Sequence, residues 1–165
     1  IPTNRFVLFL LFMFLFPQCA DPCSRYTELR EDWRSVNNVD QSNVRCDQWV
    51  NWDGWYRFYL GGSSAAIPEK CVPSQRCGTH ASLYITEPNP TQTSDVVTRT
   101  VCNNWSSSCC YFASHTIKVK LCPGNFYVYK LAKPSVCHLG YCAAHFHLLA
   151  KIIKSYISVS IKYLD

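Results

Sequence analysis

The sequence predicts a small, disulfide-rich, mainly β domain with one short helix near residues 26–34. Three observations predict it. Ten of the eleven cysteines lie between Cys23 and Cys142, with none in the last 23 residues. Charged residues make up 16% of the chain and aromatics 15%, whereas soluble domains average about 25% charged. Short alternating runs of apolar and polar residues are separated by turns containing Gly or Pro, which is the pattern of strands. Such a composition excludes a disordered chain, and 165 residues suit one domain with a tail.

Phe6 to Phe16 reads FVLFLLFMFLF, eleven consecutive apolar residues behind Arg5 and ahead of Pro17. A bilayer span needs about 20, so the run reads as the core of a secretory signal peptide over residues 1–20. Cleavage is expected after Cys19 or Ala20. Because the first residue is Ile1, the N-terminus is expected to be incomplete. Cys19 then leaves with the peptide, and an even ten cysteines remain.

The working domain is expected over residues 21–142. Tyr26, Leu29 and Trp33 recur at i, i+3 and i+7 among charged residues, the spacing of two turns of amphipathic helix. Ser35 to Asn43 is polar loop. Gly54 to Leu60 is a strand stopped by Gly61-Gly62, and Ser82–Thr86, Val96–Val101 and Cys110–Ala113 read as further strands. Thr116 to Cys122 alternates, with Ile117, Val119 and Leu121 on the buried face. Pro123-Gly124-Asn125 turns it into Phe126 to Leu131, making a hairpin. Residues 143–165 form an atypical tail, read as a poorly ordered or truncated end. Leu148, Leu149, Ile152, Ile153, Tyr156 and Ile157 make a helical stripe there, and Tyr156 to Tyr163 alternates equally well as a strand. With three lysines among its residues, the tail is no membrane span.

Charge narrows the partners. The whole chain carries +5, but residues 21–142 hold 12 Lys/Arg against 10 Asp/Glu, a net of +2, and no run of five basic residues occurs. A polyphosphate-binding footprint is absent, so nucleic acid is excluded as a partner.

The ten cysteines are Cys23, Cys46, Cys71, Cys77, Cys102, Cys109, Cys110, Cys122, Cys137 and Cys142. In an oxidising compartment they read as a disulfide framework. Zinc favours C-x2–4-C pairs in two clusters, which Cys71-x5-Cys77 and the adjacent Cys109-Cys110 do not make. Ten cysteines allow about 945 pairings, and spacing does not choose among them.

No constellation for catalysis appears. G-x-S-x-G is absent, Cys–His chemistry needs a free thiol, and Glu31-Asp32 point to different faces of a helix. His145-x-His147 lies in the tail without a nearby carboxylate, so neither metal nor cofactor is expected. Trp49, Trp52, Trp55, Tyr56, Phe58 and Tyr59 crowd eleven positions. Most read as core of a small stapled domain. Trp49 and Trp52 are the candidates for an exposed contact surface.

The motifs in series resemble a known module. Asp21-Pro22-Cys23, Glu31-Asp-Trp-Arg-Ser35 and Gly54-Trp-Tyr-Arg-Phe58 are followed by Ile67-Pro-Glu-Lys-Cys-Val-Pro73, Arg76-Cys-Gly-Thr79 and Val97-Thr-Arg99. Trp105-Ser-Ser-Ser-Cys-Cys110, Cys122-Pro-Gly-Asn-Phe-Tyr-Val-Tyr-Lys-Leu131 and Cys137-His-Leu-Gly-Tyr-Cys142 complete the series. Together they resemble the ten-cysteine decoy module of the uromodulin and glycoprotein 2 family, over nearly all of residues 21–142. The resemblance implies a secreted glycoprotein module with the pairs Cys23–Cys122, Cys46–Cys137, Cys71–Cys109, Cys77–Cys142 and Cys102–Cys110. It also implies a mucosal innate-defence role, in which N-glycans engage bacterial adhesins in place of host receptors.

This chain departs from that pattern in its sequons. Family members carry them near Leu83 to Pro90 and near Tyr129 to Ala132. Here Thr86-Glu87-Pro88 has no Asn, and Asn89-Pro90-Thr91 is blocked by its proline. The acceptor left is Asn104-Trp105-Ser106. The expected function is therefore non-enzymatic extracellular recognition, with a bacterial adhesin or an extracellular glycoprotein as partner. Two alternatives stand beside it: a structural module of a larger extracellular filament-type glycoprotein, and a carbohydrate-binding, lectin-like domain.

Overall fold

The computed structural model describes residues 20–146. The leader expected before Ala20 and the stripe expected in the tail lie outside the described residues. Ten strands run in chain order: β1 Thr27–Leu29, β2 Tyr56–Leu60, β3 Ser63–Ala66, β4 Ala81–Ile85, β5 Val96–Trp105, β6 Ser108–Cys109, β7 His115–Cys122, β8 Phe126–Lys130, β9 Leu139–Tyr141 and β10 Ala144–His145. Two single 3-10 turns, Asp32–Arg34 and Asp47–Trp49, complete the regular structure.

All ten strands join one sheet in the order β10-β3-β2-β8-β7-β5-β4-β9, with β1 added beside β2 and β6 beside β5. Most neighbours are antiparallel. β1 runs parallel to β2 and β9 parallel to β4. The alternation read from the sequence is the sheet's own. On β7, Ile117, Val119 and Leu121 are buried while Thr116 and Lys118 face solvent. On β2, Tyr56, Phe58 and Leu60 face the core. These residues pack with Ile67, Leu83, Ile85, Val101, Tyr127, Tyr129, Leu139 and Tyr141 in one continuous core. At the β2–β3 hairpin, Gly61 and Gly62 supply the two consecutive positive φ angles (53° and 78°) that a two-residue loop with this twist requires.

The segment near 26–34 is not an α-helix. Thr27–Leu29 lie extended against Tyr56–Phe58, and the Thr27 N–H donates to Trp55 O at 2.7 Å. Only Asp32–Arg34 turn, for three residues. The three residues read as one helical stripe have separate neighbours: Tyr26 meets Phe126, Leu29 the main core, and Trp33 the loop at Gly78. The strand expected over Cys110–Ala113 sits earlier, at Ser108–Cys109. Cys110 takes a φ of 58°, which ends the ladder. β3, β9 and β10 carry no strand signal in the sequence. β3 is Ser-Ser-Ala-Ala, with no β-branched or aromatic residue, and β9 and β10 are too short to show a period.

The structure joins Cys23–Cys122, Cys46–Cys137, Cys71–Cys109, Cys77–Cys142 and Cys102–Cys110. Their Cα separations run from 4.8 to 6.1 Å, within the range a disulfide spans. Past Cys142, the expected end of the domain, Ala143 is buried and β10 pairs with Ala65 and Ala66. Phe146 then packs on Tyr127 at 4.8 Å between ring centres.

Candidate functional site

The segment Cys46–Asp53 is held from several sides. Cys46 is bridged to Cys137. Asp47, 1% exposed, pairs with Arg34, 2% exposed, through two hydrogen bonds: Nη1 to Oδ2 at 2.7 Å and Nη2 to Oδ1 at 2.9 Å. Asp47 Oδ2 also accepts the Tyr141 N–H at 2.7 Å, while Arg34 Nη1 donates to Tyr141 O at 3.2 Å. Glu31 accepts from Arg34 Nε at 2.7 Å, and Gln48 Nε2 donates to Ser135 O at 3.0 Å. Burial by itself would lower the Arg34 pKa. The charge and hydrogen bonds of Asp47, and then those of Glu31, outweigh it and hold the group above its ordinary value.

This frame separates the two tryptophans that the sequence left equivalent. Trp52 is half-buried. Its indole N–H donates to Asp47 O at 3.0 Å, and its ring meets Tyr56 and Tyr141 edge-on at 5.0 and 5.7 Å. It braces the turn. Trp49, at the end of that turn, is 78% exposed, and its indole has no hydrogen bond or ring contact among the described residues. Val50 beside it is also exposed. A large rigid apolar side chain is therefore held out on an immobilised turn.

Asn104 is placed differently. It lies on β5 opposite both Ser82 and Cys109, and it is 6% exposed. Its Nδ2, the atom an N-glycan would occupy, sits 3.2 Å from Cys71 Sγ and 4.0 Å from Cys109 Sγ, and its Oδ1 is buried with no hydrogen-bond partner among the described residues. With Nδ2 against the Cys71–Cys109 bridge and the residue 6% exposed, a sugar there would have to displace the packing around that bridge. The intact mass of the secreted protein is expected to stay the same after glycosidase treatment. A mass loss at Asn104 would mean that the bridge and its hairpin are open in that population.

Other candidates stay apart. Among the described residues, no group of three or more His, Cys, Asp or Glu gathers to hold a metal, and no helix is long and apolar enough to cross a membrane. His145 lies on β10, and His147 is outside the described residues. His115, half-buried on β7, has its Nε2 2.7 Å from Tyr141 Oη, and burial lowers its pKa. Sequence reasoning missed Arg34, Asp47 and Tyr141. The pair is 13 residues apart and Tyr141 lies 94 residues beyond Asp47, so no local period announces the cluster.

The family model of the uromodulin-like cysteine-rich domain matches residues 56–143. Uromodulin of Rattus norvegicus is 41% identical over 124 residues, which cover 75% of this chain and 18% of the relative. The pancreatic secretory granule membrane major glycoprotein GP2 of Canis lupus familiaris is 43% identical over 122 residues, 74% of this chain and 23% of the relative. Its counterpart in Homo sapiens is 38% identical over 124 residues, 75% and 22%. The chain thus spans about a fifth of the length of the relatives it matches.

Proposed function

The chain belongs to the uromodulin-like domain family, and from that membership we propose that it is a secreted, non-enzymatic recognition module whose contact surface is protein, centred on Trp49. One observation carries the reading. Trp49 is 78% exposed on a turn fixed by a disulfide, a buried ion pair and the brace of Trp52. Tryptophan is among the residue types most enriched at binding hot spots, and a turn ordered before binding loses little entropy on contact.

The partner that the family suggests is a bacterial adhesin, engaged as a mucosal decoy, or a larger extracellular glycoprotein. A glycan at Asn104 is the weaker route to such a decoy, because its amide is enclosed by a disulfide. The protein surface at Trp49 needs no modification.

The test is capture of purified fimbrial adhesin and of fimbriated bacteria on immobilised protein. Trp49→Ala is expected to weaken capture more than tenfold, the loss of a hot spot worth about 2 kcal/mol. The thermal midpoint should barely move, since an exposed side chain typically contributes within about 0.5 kcal/mol. Equal capture by variant and wild type, or none by either, would overturn the reading.

A further inference from the structure

A second surface feature lies away from Trp49 and shares no residue with its frame. Ser74, Gln75, His80, Trp105 and Ser106 line an open depression of about 180 Å³. One wall is the loop before β4, the other the β5–β6 hairpin. Both are fixed. The Gln75 N–H donates to His80 O at 2.9 Å, and Ser82 Oγ donates to Pro73 O at 2.9 Å beneath the loop. The hairpin is clamped by Cys71–Cys109 and Cys102–Cys110. The His80 ring stands 6.0 Å from the Trp105 ring and 4.9 Å from that of His138.

The lining has an unusual backbone. Gln75 has a φ of 58° and Ser106 a φ of 49°, both in the left-handed region that favours glycine. Ser106 and Ser107 (φ 65°) form the two-residue hairpin loop where Asn-Gly or Gly-Gly is the unstrained choice. Packing does not explain a side chain here, because Gln75 is exposed and its carboxamide makes no hydrogen bond among the described residues. Strain of this kind collects at sites that use the side chain concerned.

The chemistry of the lining is selective. It holds one indole, one imidazole, one carboxamide and two hydroxyls. It holds no lysine, arginine or carboxylate, so it presents no fixed charge to an ion, and a single indole is too little for an apolar ligand. A flat apolar face beside several neutral donors and acceptors matches a sugar ring, which has a C–H face and a rim of hydroxyls. We propose that this depression is a binding subsite for a neutral pyranose, stacked on Trp105 and hydrogen-bonded by Gln75, His80 and the two serines. It stands whether or not Trp49 is a contact.

Saturation-transfer NMR on the full chain, titrated with the methyl glycosides of mannose, galactose, glucose and N-acetylglucosamine, tests this. Saturable binding of at least one is expected. Gln75→Gly removes the amide and relieves the left-handed strain. It should therefore keep or raise the thermal midpoint while weakening the sugar about fivefold, the value of one hydrogen bond. His80→Ala should weaken binding similarly, and Trp105→Ala should abolish it. Trp49→Ala should leave it unchanged, which separates this site from the adhesin contact. No saturable binding by the wild type, or binding that Gln75→Gly and His80→Ala both leave intact, would overturn the proposal.

Discussion

Asp47→Ala is expected to destabilise the domain by about 3–5 kcal/mol, the range measured when one partner of a buried ion pair is removed. Asp47 answers three donors at once: both terminal nitrogens of Arg34 and the backbone N–H of Tyr141. Truncation leaves a guanidinium at 2% exposure, 4.0 Å from the centre of the Trp33 ring, with Glu31 and Tyr141 O as its remaining hydrogen-bond partners among the described residues. A buried charge left with only the half-exposed Glu31 carboxylate to balance it is the expensive outcome; replacing both members of a buried pair by apolar residues often is not. Arg34→Met combined with Asp47→Leu should therefore recover part of the loss. Thermal unfolding with the disulfides intact would show a midpoint lower by about 10–20 °C for the single variant. A drop corresponding to less than about 1 kcal/mol, as for exposed pairs, would mean that water reaches the pair. Trp49 connects this stability effect to recognition. The turn closes through the Val50 N–H on the Asp47 backbone O, and Trp52 braces on the same oxygen. Alanine keeps that carbonyl but loses the side-chain tie to Arg34 and Tyr141 that holds it in place, so the variant should also weaken adhesin capture at temperatures where it remains folded.

What could be read in advance follows the range of the interactions involved. The β7–β8 hairpin is legible because its signals are local: strict alternation in β7 and Pro123-Gly124-Asn125 at the corner, where Gly124 and Asn125 take positive φ. The 26–34 segment misleads for the same reason. A spacing of i, i+3, i+7 marks a helix only if its residues meet one neighbour, and Tyr26, Leu29 and Trp33 meet three. Parallel pairing with β2, fixed by residues 29 positions away, overrides the local preference. Trp49 and Trp52 share one short stretch of sequence, and Trp52 is the covered one because it meets Asp47 O, Tyr56 and the distant Tyr141. The pyranose depression has no motif. Its walls come from two loops, and its left-handed positions carry Gln and Ser where sequence reading looks for Gly. The disulfide pairing came from resemblance, since spacing alone could not choose it.

Replacing Cys23 and Cys122 together by serine is expected to lower stability by about 4 kcal/mol in the chain-entropy account of disulfides. The two residues are 99 apart, and a loop of about 100 residues by itself corresponds to about 4.7 kcal/mol. The other bridges shorten the effective loop. The unfolded chain can pass from Cys23 to Cys46, cross to Cys137 and return to Cys122, a circuit of about 40 residues, which brings the value down to about 4 kcal/mol. Cys102–Cys110 has a sequence separation of 8, and its removal by paired serines is expected to lower stability by about 2.5 kcal/mol. The order of the two double variants is thus set by the unfolded state, not by native contacts. Native contacts argue the other way. Cys23 is half-buried ahead of β1, a strand of three residues, whereas Cys102 is buried within the ten-residue strand β5 and its bridge closes the β5–β6 hairpin. Denaturant midpoints of the two variants, with the remaining four bridges verified by non-reducing peptide mapping, decide between these accounts. If the Cys102–Cys110 variant is the less stable, the bridges act mainly by fixing the native hairpin beside Trp105. If the Cys23–Cys122 variant is, they act by shortening the loops of the unfolded chain.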